Sequence, residues 1–120
     1  MNFFDSFYKK DKDQKKMNFS LEVGPHTDLE TLPPVKDVYV TMLPGGDYKE
    51  TAAKSGDLVK KGFNPVPHFP ARSILDEHQL KDFITRCKDV GTKQALVIGG
   101  SRDPIGKFDS SIQILETGFF

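Results

Sequence analysis

The sequence predicts an α/β fold built from about four parallel βα units, and three observations lead there. Short apolar or β-branched runs alternate with amphipathic stretches at helical spacing. Glycine and proline punctuate the ends of these runs, at Gly24-Pro25, Pro44-Gly45-Gly46 and Gly99-Gly100. The last run, residues 94–98 (QALVI), is continuously apolar. That pattern is expected of a strand buried on both faces of a parallel sheet.

Residues 2–16 carry Phe3, Phe4, Phe7 and Tyr8 ahead of a charged continuation. Phe4, Phe7 and Tyr8 fall on one helical face, so residues 1–17 read as a short docking helix or a partly ordered tail. Residues 18–23 (NFSLEV) alternate polar and apolar and stop at Gly24-Pro25, the pattern of a strand entering a turn. Residues 27–36 hold two prolines and allow only a short helix. Residues 37–42 (DVYVTM) have the β-branched and aromatic composition that suits a pleated, buried surface.

Asp47 is placed to cap a helix running to about Lys61, with Tyr48, Ala52, Ser55 and Val59 as its inward stripe. Lys60 and Lys61 suit its C-terminal dipole, and Gly62 closes it. Residues 64–68 (NPVPH) form a strand whose two prolines limit ladder bonding. Asp76 caps the next helix, where Leu80, Phe83, Ile84, Cys87 and Val90 recur at three- and four-residue spacing before Gly91. A last helix spans residues 109–116, with Phe108, Ile112 and Leu115 as its stripe.

Charge and cysteine content narrow the function classes. The chain has 120 residues, and 17 basic side chains balance 17 acidic ones. This argues against a nucleic-acid or anionic-membrane binder, which carries a basic excess. The single cysteine, Cys87, excludes an internal disulfide and fits a reducing compartment. No apolar run approaches the roughly 20 residues that span a bilayer, and the N-terminus lacks the apolar core of a signal peptide. The expected location is the cytoplasm, and the expected partner is a small molecule.

Two architectures accommodate such units, an open doubly wound sheet and a (β/α)8 barrel. A barrel takes about 250 residues, so this chain would supply its first half.

In both, ligands bind where strands exit into loops. Those exits are residues 22–26, 41–46, 68–72 and 99–103, and each carries polar groups or glycines. Glu22 sits between Leu21 and Val23. A carboxylate partly desolvated there suits proton donation, whereas the plainer alternative is a solvent-facing glutamate on an edge strand. Thr41 is a strand hydroxyl of the kind that is usually structural. His68, between Pro67 and Phe69, reads first as a packed, hydrogen-bonded histidine, and no second histidine or cysteine stands at metal-ligand spacing. Arg72 suits a phosphate or carboxylate, or else a surface salt bridge. Residues 43–46 and the Gly99-Gly100-Ser101 turn would let backbone approach a planar or phosphorylated ligand, but neither matches a dinucleotide fingerprint or a Walker loop. Cys87 belongs to an apolar stripe and reads as inert core.

The same residues, in order, resemble the methylenetetrahydrofolate reductase family. Ser20-Leu21-Glu22 resembles the strand that opens those enzymes. Val38-Tyr39-Val40-Thr41 resembles their second strand, Pro67-His68 the end of their third, and residues 95–101 their fourth with its exit. Residues 64–74 (NPVPHFPARSI) look like a diverged branch. The resemblance runs from about residue 18 to the C-terminus.

It implies that residues 18–120 are the N-terminal half of a (β/α)8 TIM-type barrel holding FAD. NADH or NADPH reduces the flavin, which passes hydride to 5,10-methylenetetrahydrofolate to give 5-methyltetrahydrofolate. Carried over by position, Glu22 is the general acid that helps open the methylene bridge. Thr41, followed by Met42 where a tyrosine is common, lies near nicotinamide or flavin. His68, Gly99, Gly100 and Ser101 contact FAD. The family's aspartate at the fourth exit is replaced here by Ser101, or by Asp103 on a shifted loop, for the folate. No metal is implied. A half barrel further implies a missing C-terminal half or a second copy to cover its edges. Two alternatives stand beside this reading: a diverged folate-binding barrel, and a catalytically inactive truncated product.

Overall fold

The computed structural model describes residues 18–120, so the aromatic segment expected to form a docking helix or tail lies outside the described residues. Within them, four strands form one parallel sheet in the order β1-β2-β3-β4: β1 (Leu21–Val23), β2 (Asp37–Val40), β3 (Asn64–Pro70) and β4 (Leu96–Ile98). Each strand lies beside its sequence neighbour, with no reversal of order. Helices α1 (Tyr48–Lys60) and α2 (Glu77–Asp89) connect β2 to β3 and β3 to β4, and α3 (Ser111–Glu116) follows β4. Between β1 and β2 the connection holds only a 3-10 turn, Leu29–Thr31, capped by the Asp28 side chain. The expected α/β class and parallel units are present, with this short first crossover.

Capping sets the helix starts. Asp47 accepts from the Lys49 N–H at 2.9 Å and Asp76 from the Gln79 N–H at 2.8 Å, each satisfying a donor that the first turn leaves unpaired. Ser110 and Gln113 cap α3 reciprocally. Gly62 and Gly91 adopt φ of +89° and +94° at the ends of α1 and α2, the left-handed geometry that terminates a helix.

The helix side of the sheet carries the core, in two clusters. Val23, Leu29, Val35, Val38, Val40, Leu58 and Phe63 form one cluster. Phe69, Leu80, Phe83, Ile84, Cys87, Phe108 and Ile114 belong to another. The stripe expected on α2 is buried as anticipated at Leu80, Phe83, Ile84 and Cys87. On α1 the buried face is broader than expected, because Thr51, Gly56 and Leu58 join Ala52 and Ser55. A Cβ on Gly56 would stand 3.1 Å from Val90. The glycine therefore lets α1 and α2 approach closely.

Three expectations need correction. The run at residues 94–98 is not buried on both faces: β4 spans only Leu96–Ile98, residues 94–96 are exposed, and Val97 and Ile98 are half-buried. The cause is position, since β4 is an edge of the described sheet. Of the stripe expected for α3, Phe108 is buried just ahead of the helix, but within it the buried residue is Ile114, whereas Ile112 and Leu115 are 63% and 54% exposed. A six-residue helix turns too little for a three-residue stripe to settle its orientation.

The third correction concerns β3, which is longer than residues 64–68 and pairs on both sides despite its prolines. It pairs with β2 over residues 64–67 and with β4 over 68–70. The Asn64 N–H donates to the Lys36 carbonyl at 2.9 Å, on the β2 side. Alternation along a strand then turns positions 65 and 67 to the other side, where β4 has not yet begun. Pro65 and Pro67 thus lack an N–H only where no ladder bond is called for.

Candidate functional site

Register assembles one face of the sheet. Glu22 pairs with Tyr39, Tyr39 with Val66, and His68 with Leu96. Because side chains two apart share a face, Glu22, Tyr39, Val66, His68 and Leu96 all lie on the face opposite the helices. An open groove of about 420 Å³ runs across it, lined by Ser20, Leu21, Glu22, Tyr39, His68 and Leu96.

His68 is the most constrained group there. It is 8% exposed, its ring meets Tyr39 edge-on with centroids 6.0 Å apart, and its buried Nε2 has no hydrogen-bond partner among the described residues. The plain expectation of a packed, hydrogen-bonded histidine is half met: the side chain is packed, but this nitrogen is orphaned. Burial pushes the imidazole below the ordinary histidine value, and the nearby Glu22 carboxylate pulls in the opposite direction. The ring is therefore biased towards its neutral form.

Glu22 and His68, picked out separately in the sequence, are thus brought to one groove. Glu22 itself is exposed, not desolvated, among the described residues, since it lies on the face of the first strand turned away from the helices. Tyr39 was not singled out as a site residue. Its signal was available in the alternation of β2, which puts it on the face of Glu22 and opposite Val38 and Val40.

The other expected residues are placed differently. Thr41 sits just beyond β2, its N–H and hydroxyl both directed to the Val23 carbonyl at 2.9 and 3.3 Å. Met42 is buried in the helix-side core, on the face away from Glu22 and His68. Gly99 and Gly100 form the exit of β4, and Arg72 ties that exit to the end of β3. The Arg72 N–H donates to Gly99 at 3.0 Å, and its guanidinium donates to the Gly100 carbonyl at 3.2 Å and to Asp109 at 3.1 Å. Arg72 is accordingly a loop clamp with a surface salt bridge. Gly100 takes φ of +100° beneath this clamp, with Pro70 3.4 Å from where a Cβ would stand. Ser101 and Asp103 are exposed on the same loop.

Cys87 is buried and its thiol is pushed up to about 12 by burial, which removes the reactive thiolate. Among the described residues no group of three or more His, Cys, Asp or Glu is arranged to hold a metal ion, and no helix is long and apolar enough to cross a membrane.

Fold and site together define a parallel α/β protein whose sheet face opposite the helices carries a carboxylate, a tyrosine and a buried histidine on three successive strands. No protein-family model matches the chain.

Proposed function

We propose that residues 18–120 are the N-terminal half of a (β/α)8 barrel of the methylenetetrahydrofolate reductase kind. Its parent would reduce 5,10-methylenetetrahydrofolate with FAD and NADH or NADPH in the cytoplasm. The observation that carries this reading is the convergence of Glu22 and His68 on one groove. Both positions are marked by residue type and again by the motif resemblance, and the groove is lined by both. Sequential strand order also suits a barrel, because a doubly wound sheet reverses its order at the ligand crevice.

The residues present fit a flavin ring. The groove is open and His68 lines it, and its buried Nε2 has no hydrogen-bond partner among the described residues, which leaves it for a planar heterocycle that reaches it. FAD, when bound, would supply the hydride chemistry. His68 would hold the ring edge, and the clamped Gly99-Gly100 turn would let backbone come close to the cofactor. Glu22, exposed to an incoming substrate, would hand a proton to the folate nitrogen as the methylene bridge opens. The Thr41 hydroxyl, already donating to Val23, would contribute acceptor lone pairs. Ser101 or Asp103 would meet the folate from the exit loop. Met42 would support the site from the core without touching a ligand.

A visible absorption spectrum of the purified chain, after incubation with FAD and removal of the excess, tests the reading. Retained oxidised-flavin bands that are lost in His68→Ala support it. A chain that stays colourless, alone and when mixed with the remainder of its parent, sinks it.

A further inference from the structure

Tyr39 owes its place in the groove to register alone, since no motif picks it out as a ligand contact. It is the partner of Glu22 on one side and of Val66 on the other, and Val66 stands two residues before His68. Its ring contacts His68 in an edge-on arrangement with planes at 65°. Among the described residues, the groups facing His68 are Glu22 from β1, Tyr39 from β2 and the apolar Leu96 from β4. Only Glu22 carries charge, and a carboxylate favours the imidazolium. Against that pull, burial of a ring whose Nε2 has no partner among the described residues favours the uncharged form, and burial is the larger of the two effects.

We propose that Tyr39 is a positioning residue that walls His68 off from water and keeps its imidazole uncharged beside Glu22, so that the groove takes the edge of a neutral planar heterocycle in preference to an anionic group. A neutral imidazole carries one donor and one acceptor nitrogen. It therefore matches the carbonyl or N–H edge of a ring, whereas an imidazolium would draw phosphate or carboxylate. For its ligand the inference rests on the flavin reading; for its readout, the charge on His68, it does not.

The test follows the imidazole C–H resonances of the full chain by NMR as pH is varied, with His68→Gln to separate His68 from His26 and His78. In the wild type and in Tyr39→Phe, His68 should titrate below the ordinary value of 6.5. In Tyr39→Ala its titration should move up towards that value. Tyr39→Thr keeps a β-branched residue on the strand and gives the same reading if the alanine variant does not fold. An unchanged His68 titration in the folded ring-less variants overturns the inference. Riboflavin fluorescence quenching at neutral pH supplies the ligand arm. Quenching by the wild type that weakens in Tyr39→Ala supports both readings. Absent quenching with the histidine shift intact sinks the flavin reading and leaves the role of Tyr39 standing. Quenching that persists with no histidine shift sinks the role of Tyr39.

Discussion

Phe69 stacks on Phe83 with ring centroids 4.0 Å apart and planes within 22°, directly behind His68 in the chain. The two neighbours serve opposite faces of β3: Phe69 anchors α2, and His68 enters the groove. The position of the imidazole is therefore set by core packing on the far side of the sheet. Phe83→Ala should cost about 3–5 kcal/mol, the usual cost of removing a buried phenyl ring, as measured by denaturant unfolding. It should also loosen the Tyr39–His68 contact, read as a change in the His68 chemical shift. Full stability in this variant would mean that the stack is incidental.

A second expectation concerns pH. His68 has a folded value below its unfolded one. As pH falls past about 6.5 the unfolded chain takes up a proton that the folded chain resists, so stability drops. The contribution is fully present above the unfolded value and is lost on acidification until the folded value is passed. His68→Gln should flatten this part of the stability profile while leaving the acid limb due to carboxylates in place. A profile with the same slope as the wild type would assign the pH dependence elsewhere.

Two glycines after β4 should respond differently to alanine. A Cβ on Gly106 would collide with the Leu75 carbonyl oxygen, and that backbone is pinned by the Lys107 N–H at 3.2 Å. Gly106→Ala should cost about 1–3 kcal/mol through forced backbone movement. Gly99→Ala meets nothing within 4 Å and should change stability by less than about 0.5 kcal/mol. If Gly99 faces flavin, the same substitution should still weaken FAD binding. Thermal melts and flavin titration separate these effects.

Tyr48 offers a spectroscopic marker for the α1–α2 contact. Its hydroxyl donates to Asp82 at 2.5 Å, and Arg86 donates to the same carboxylate at 2.8 Å. Burial and this hydrogen bond push the phenol up to about 12. An ultraviolet titration should show one of the three tyrosines ionising late, a step absent in Tyr48→Phe and moved to lower pH in Asp82→Asn. A late step that survives Tyr48→Phe would belong to another residue.

Much of the architecture was legible before the structure. Helix starts at Asp47 and Asp76, and stops at Gly62 and Gly91, follow from local chemistry, and the structure places them where the residues direct. The burial of β4 and the orientation of α3 could not be read in this way. Both depend on what lies beside them in space, and an apolar string such as LVI has the same composition at an edge as at a centre. Of the groove, Glu22 and His68 stood out by residue type. Tyr39 emerged only with the register, because a tyrosine on a β-branched strand is ordinary until its cross-strand partners are known. Met42 illustrates the converse: one step beyond Thr41 in sequence, it points to the other side of the sheet.

The prolines of β3 carry a consequence beyond their own strand. Alongside positions 65 and 67 the backbone presents carbonyls but no donors, and both residues are buried. That side of β3 is therefore closed by packing rather than by pairing, and two imino acids carry the strand through the interior there without leaving an N–H unsatisfied. The register between β3 and β4 is accordingly held by residues 68–70 alone.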